Sequence, residues 1–134
     1  MIAGTEEFIA KAFRLRKMLG GGMRQVGVLA AAGLLSIEKM TARLKQDHDR
    51  AKKLYAALQQ ASGLRIEAQP SSNMVYFKLA DHVRLTEDEI IAEMKKRGVL
   101  VDWSAPREFR LVTHYWVDDA GVEKTAEALR EILG

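Results

Sequence analysis

At residue 64 the spacing of apolar side chains changes from helical to strand-like. That change restricts the chain to a fold with helices first and a small sheet after them. Before it, Phe8, Ile9, Ala12, Phe13 and Leu19 recur at helical spacing. A longer run, Ile37, Met40, Leu44, His48, Ala51, Leu54, Tyr55 and Leu58, marks one face of a helix expected over 37–61. After it, LRIEAQ (64–69), MVYFKL (74–79), VLVDW (99–103) and FRLVTH (109–114) read as short strands. Strands this short, joined by brief links, predict a mainly antiparallel four-stranded sheet with helices on one side. The expected class is α+β, with a helical segment over 1–62 and a small α+β domain over 63–134.

Local chemistry marks several element ends. Thr5, followed by Glu6 and Glu7, suits a helix start. Thr86 and Glu89 form the pattern of a capping box for a helix ending at Gly98, and Asp118 or Asp119 opens a final amphipathic helix. Between the first two helices lies RKMLGGGMRQ (16–25), whose three glycines lose too much backbone entropy to remain helical. The next helix is expected from near Met23 to Leu35. Its small residues Gly27, Ala30, Ala31 and Gly33 suit close packing, so it is expected to be buried.

Composition removes several function classes. With no cysteine among 134 residues, disulfides, thiolate metal sites and cysteine nucleophiles are excluded. The opening MIAGTEEFIA has two acids and no basic n-region, unlike a secretory signal. The longest apolar run, VGVLAAAGLL (26–35), is about half of what a bilayer span needs. The expectation is a soluble, cytoplasmic protein with no membrane partner. Residues 1–60 hold eleven Lys/Arg against five Asp/Glu, whereas residues 61–134 hold ten against thirteen. A basic half of this kind suits an anionic cofactor, an acidic partner or a nucleic acid. No aromatic side chains are interleaved with the basic ones as stacking platforms, so no nucleic-acid partner is expected.

Two places could carry chemistry. The glycine turn, with Lys17 before it and Arg24 after it, offers a flexible backbone beside two cations. It reads either as an anion site or as a sharp turn with surface charges. On the last strand, Phe109, Leu111 and Thr113 share one face, and Arg110, Val112 and His114 share the other. Arg110 suits a carboxylate, though a solvated strand arginine is the plainer reading. Arg107, just after Pro106, is expected to be a bystander that tolerates Lys. His48 reads as a packing residue and His82 as a loop residue. No His/Asp/Glu spacing suits a metal, and the serines sit at caps and turns.

The stretch RKMLGGGMRQVGVLAAAGLLSIEKMTARLKQDHDRAKKL, with NMVYF and FRLVTH, closely resembles the threonine aldolases, the low-specificity L-threonine and L-allo-threonine aldolase family. The resemblance covers nearly the whole chain, and LGGGMRQ is its most specific string. It implies an aspartate-aminotransferase-like, fold-type I enzyme that uses pyridoxal 5'-phosphate, with this chain matching the C-terminal region and its small domain. It further implies that Lys17 and Arg24 face the cofactor phosphate, reaching it from a neighbouring subunit, and that Arg110 holds the substrate carboxylate. Partners implied are a homo-oligomer, an amino-acid substrate and a large cofactor-binding domain absent from this chain. The family's Schiff-base lysine falls upstream of Met1, so no catalytic residue is assigned here and cleavage by this chain alone is not expected. The competing expectation is an inactive, stand-alone oligomeric interaction domain.

Overall fold

A computed structural model describes residues 2–66 and 68–134; Met1 lies outside the described residues, as does Glu67, which the sequence places in the first strand. The chain divides into two units, 1–41 and 42–134. The division falls before the long helix rather than at 62/63, because that helix packs with the sheet.

In the first unit, α1 (Glu6–Met18) is capped by Thr5, whose hydroxyl accepts the Phe8 N–H at 3.3 Å. Glu6 and Glu7 sit at its positive end, and Arg16 and Lys17 at its negative end. Gly20 adopts φ +81°. The Gly21 N–H reaches the Arg16 carbonyl at 2.8 Å and the Gly20 N–H reaches that of Lys17 at 3.3 Å. That pair of bonds is a Schellman cap, and the left-handed residue it requires is why a glycine follows Leu19.

The second helix, α2 (Gly27–Leu35), starts four residues later than expected. Gln25 takes φ +54°, which a helix through residues 23–26 cannot contain. No residue of α1 or α2 is buried. The expected close packing is not made either, since a Cβ at Gly27 or Gly33 would meet nothing within 4 Å. Leu29 and Leu34 remain 61% and 57% exposed.

The single helix expected over 37–61 is interrupted. A π turn (Ser36–Met40) and a 3-10 turn (Thr41–Arg43) precede α3 (Leu44–Leu58). Ser36 Oγ donates to the Ala32 carbonyl and Thr41 Oγ1 to that of Ile37, side-chain competition that bends helices. The buried stripe of α3 is Asp47, Ala51, Leu54 and Leu58. It therefore begins at Asp47 and not at His48, which is half-buried, while Leu44 is exposed.

The second unit also contains β1 (Leu64–Arg65), β2 (Met74–Leu79), α4 (Glu87–Lys96), β3 (Trp103–Ala105), β4 (Glu108–Val112) and α5 (Asp119–Leu133). The sheet is antiparallel in the order β1-β2-β4-β3. Residues 99–102, expected as strand, are not. Val99 donates its N–H to the Met94 carbonyl at 3.0 Å and Gly98 donates to that of Lys95 at 2.9 Å, capping α4. An amide used by the cap is lost to a ladder.

β2 alternates as its spacing predicts, with Val75, Phe77 and Leu79 buried and Met74, Tyr76 and Lys78 exposed. Phe77 and Phe109 are cross-strand partners whose rings stack with centroids 5.2 Å apart. They meet Leu58 of α3, Ile90 and Met94 of α4, and Leu129 of α5 in one core. Each such side chain contributes about 1.5–3 kcal/mol on burial. All three helices thus cover one face of the sheet and leave the other open.

Candidate functional site

β4 carries Phe109 and Leu111 inward, so Arg110 and Val112 project from the uncovered face. Opposite them on β2 stand Tyr76 and Met74. Arg110 is exposed, and its guanidinium has no hydrogen bond or ion pair among the described residues. β3 pairs with β4 only at Phe109 and Glu108, leaving the edge of β4 beyond Phe109 without a strand. A cleft of about 400 Å³ opens there, lined by Arg110 and His114 with Leu100, Asp102, Val112 and Thr125 among others. His114 Nδ1 accepts the Trp116 N–H at 3.2 Å, which leaves Nε2 to carry the proton of the neutral ring. Arg110 and His114, spaced four apart in the sequence, do share one cleft.

The other two candidate residues lie in the first unit. Lys17 closes α1, and its Nζ donates to the Gly22 carbonyl at 3.5 Å. A Cβ on Gly22 would collide with the Lys17 side chain, so the third glycine of the run leaves room for that lysine. Arg24 lies in the turn before α2 and is exposed. Neither cation is paired with a carboxylate among the described residues. Because α2 begins at Gly27, the helix start expected at Met23–Gln25 is not there; Arg24 precedes it by three residues.

Two expectations need correction. Arg107 is no bystander: it has φ +59°, and its Nη2 donates to the Ala80 and Val83 carbonyls at 2.9 and 3.2 Å. Its N–H also donates to Glu87 Oε1 at 2.5 Å, holding that carboxyl below its ordinary range. His48 is not the buried polar residue of α3; Asp47 is, at 3% exposure. The network around it, Arg43, Asp47, Asn73 and Thr113, was not singled out in the sequence. Only the i, i+4 spacing of Arg43 and Asp47 could have signalled it. His82 is exposed, as a loop histidine should be. Among the described residues no cluster of three acidic or histidine side chains could hold a metal, and no helix is long and apolar enough to cross a membrane.

Comparison with known proteins identifies relatives of this chain. Low-specificity L-threonine aldolase 1 of Arabidopsis thaliana is 34% identical over 134 residues, covering 99% of this chain and 37% of that protein. The low specificity L-threonine aldolase of Escherichia coli (strain K12) is 38% identical over 133 residues, 99% of this chain and 38% of its own. The chain thus spans little more than a third of the curated relatives it matches. Among solved structures, the cysteine desulfurase CsdA of Escherichia coli aligns with a TM-score of 0.66 at 15% identity, over 84% of this chain and 31% of that one. The cystine C-S lyase C-DES aligns with a TM-score of 0.64 at 20% identity, over 79% and 28%. At such identities the likeness is one of fold, and it agrees with the expected α+β arrangement. The family model for beta-eliminating lyases matches residues 1–82, more than half of the sequence, and the chain belongs to that family.

Proposed function

We propose that this chain is the C-terminal part of a lyase of the threonine aldolase type, which cleaves L-threonine or L-allo-threonine to glycine and acetaldehyde with pyridoxal 5'-phosphate. The observation that carries the reading is Arg110, a guanidinium without an internal partner on the open sheet face beside a cleft. Relatives 34–38% identical over 99% of the chain are named as threonine aldolases. In this reading Arg110 grips the substrate carboxylate through its planar fork and orients the amino acid for cleavage.

The residues present also fit a phosphate-bearing cofactor. Lys17 and Arg24 flank a glycine turn and have no carboxylate to neutralise them among the described residues. They would hold the phosphate, reaching it from a neighbouring subunit. When bound, pyridoxal phosphate supplies the electron sink for carbon–carbon cleavage. The exposed apolar residues of α1 and α2, such as Phe13, Leu29 and Leu34, support association with the rest of the enzyme and with a second copy. An inactive interaction domain would use that same surface but leaves Arg110 without a role.

The test is Arg110→Lys in the complete enzyme. Lysine keeps the charge and loses the bidentate fork. Losing part of a charged pair worth about 2–5 kcal/mol should lower kcat/KM at least roughly tenfold. The melting temperature should stay the same. An intact kcat/KM with a lowered melting temperature would make Arg110 a structural residue and remove the reading's main support.

A further inference from the structure

Thr113 lies one residue beyond β4 and is only 2% exposed. Every polar group of Thr113 is engaged. Its N–H donates to the Asn73 carbonyl at 3.0 Å, and its carbonyl accepts from Asn73 Nδ2 at 2.6 Å. Its hydroxyl donates to the Asp47 carbonyl at 2.6 Å. The Asp47 carboxylate in turn receives both arms of the Arg43 guanidinium, at 2.7 and 2.9 Å. That guanidinium lies over the Tyr115 ring, 4.9 Å from its centroid. Three remote stretches of chain, at 43–47, 73 and 113–115, therefore converge on the end of the strand that carries Arg110.

The Arg43–Asp47 side chains are 15% and 4% exposed. An ion pair this dry is a weak stabiliser compared with well-packed apolar residues of the same volume, because both charges are desolvated. What it does supply is direction. The Arg43 guanidinium meets Tyr115 and the Asp47 main-chain carbonyl meets Thr113, on either side of His114, and Thr113 is three residues from Arg110. The Phe77–Phe109 stack already anchors the start of β4; the network anchors its far end.

We propose that Arg43 and Asp47 are positioning residues that act through Thr113 and Tyr115, holding segment 110–116 so that the Arg110 guanidinium meets the substrate carboxylate. The inference rests on the carboxylate role proposed for Arg110. It gives the buried pair a part in substrate recognition without contact to the substrate.

The experiment uses the complete enzyme and compares two ligands, glycine and glycinamide, which differ in the carboxylate. Thr113→Val keeps the side-chain shape and removes the hydroxyl; Thr113→Ser returns it; Arg43→Met removes the cation. Thr113→Val should weaken glycine binding by about threefold to tenfold, within the lower part of the range of coupled residues in one network. Glycinamide binding should be unchanged, and Thr113→Ser should restore glycine. Placed on Arg110→Lys, Thr113→Val should weaken glycine no further. Arg43→Met should follow Thr113→Val; if it fails to fold, the threonine pair still decides. Unchanged glycine affinity in Thr113→Val, equal weakening of both ligands, or full additivity with Arg110→Lys would each overturn the proposal. Should Arg110→Lys alone leave glycine binding intact, the clamp reading fails first and takes this inference with it.

Discussion

The side chain of Lys17 lies across Gly22, so that a methyl group on the glycine would collide with the lysine's Cδ, while Nζ donates to the Gly22 carbonyl. Gly22 has an ordinary backbone conformation, so alanine there disturbs Lys17 and not the main chain. In the complete enzyme, Gly22→Ala should weaken reconstitution by pyridoxal phosphate about tenfold, or ~1.4 kcal/mol. Gly27→Ala, where a Cβ meets open space, should leave it unchanged. Equal cofactor titrations for the two variants would detach Lys17 from the phosphate.

Arg107 occupies the second position of the two-residue turn between β3 and β4, after Pro106, with φ +59°. Replacing it with alanine removes two side-chain hydrogen bonds to the 80–83 loop and keeps the left-handed strain. We expect a loss of about 2 kcal/mol in urea unfolding. Arg107→Gly loses the same bonds but relieves the strain, and should recover about 1 kcal/mol of that loss. Glycine more damaging than alanine would contradict this account of the turn.

Asp47 offers a cleaner separation of charge from packing. Asp47→Asn leaves the Arg43 cation buried without its counter-charge, which should cost about 3–5 kcal/mol. The double variant Arg43→Met/Asp47→Leu should recover most of that, since neither charge then needs a partner. A double variant as unstable as Asp47→Asn would show that the pair itself, and not its orphaning, supports the fold.

Acid sensitivity follows from Glu87 and Glu89. The Arg107 N–H lowers the Glu87 carboxyl, and the Thr86 N–H and hydroxyl lower that of Glu89, both below the ordinary 4.5. Groups depressed on folding stabilise the native state above their unfolded value. That contribution is lost as pH falls below 4.5 through the folded values. Stability should therefore decline with acid below this point, and Glu87→Gln should make the decline shallower. Identical pH profiles for the variant and the parent would discount the Glu87–Arg107 contact.

Legibility in the sequence followed the range of the interaction. Thr5, the Thr86–Glu89 box and Asp118 act on amides within a few residues, so their caps could be read directly. Alternation along MVYFKL and FRLVTH likewise needs only the pleat, and it placed Arg110 on the face opposite Phe109 and Leu111 before any partner was known. What the sequence left open was decided by contacts between distant residues. The strand at 99–103 moved because Val99 spends its amide on Met94. Met40 and His48 read as parts of one apolar stripe until a π turn broke the helix and Thr113, 66 positions away, engaged the Asp47 carbonyl. Arg107 looked like a surface cation because its partners, Ala80 and Val83, are backbone carbonyls with no signature in the sequence. Periodicity reports which side of an element is apolar; only the assembled sheet determines which polar groups are left inside to find one another.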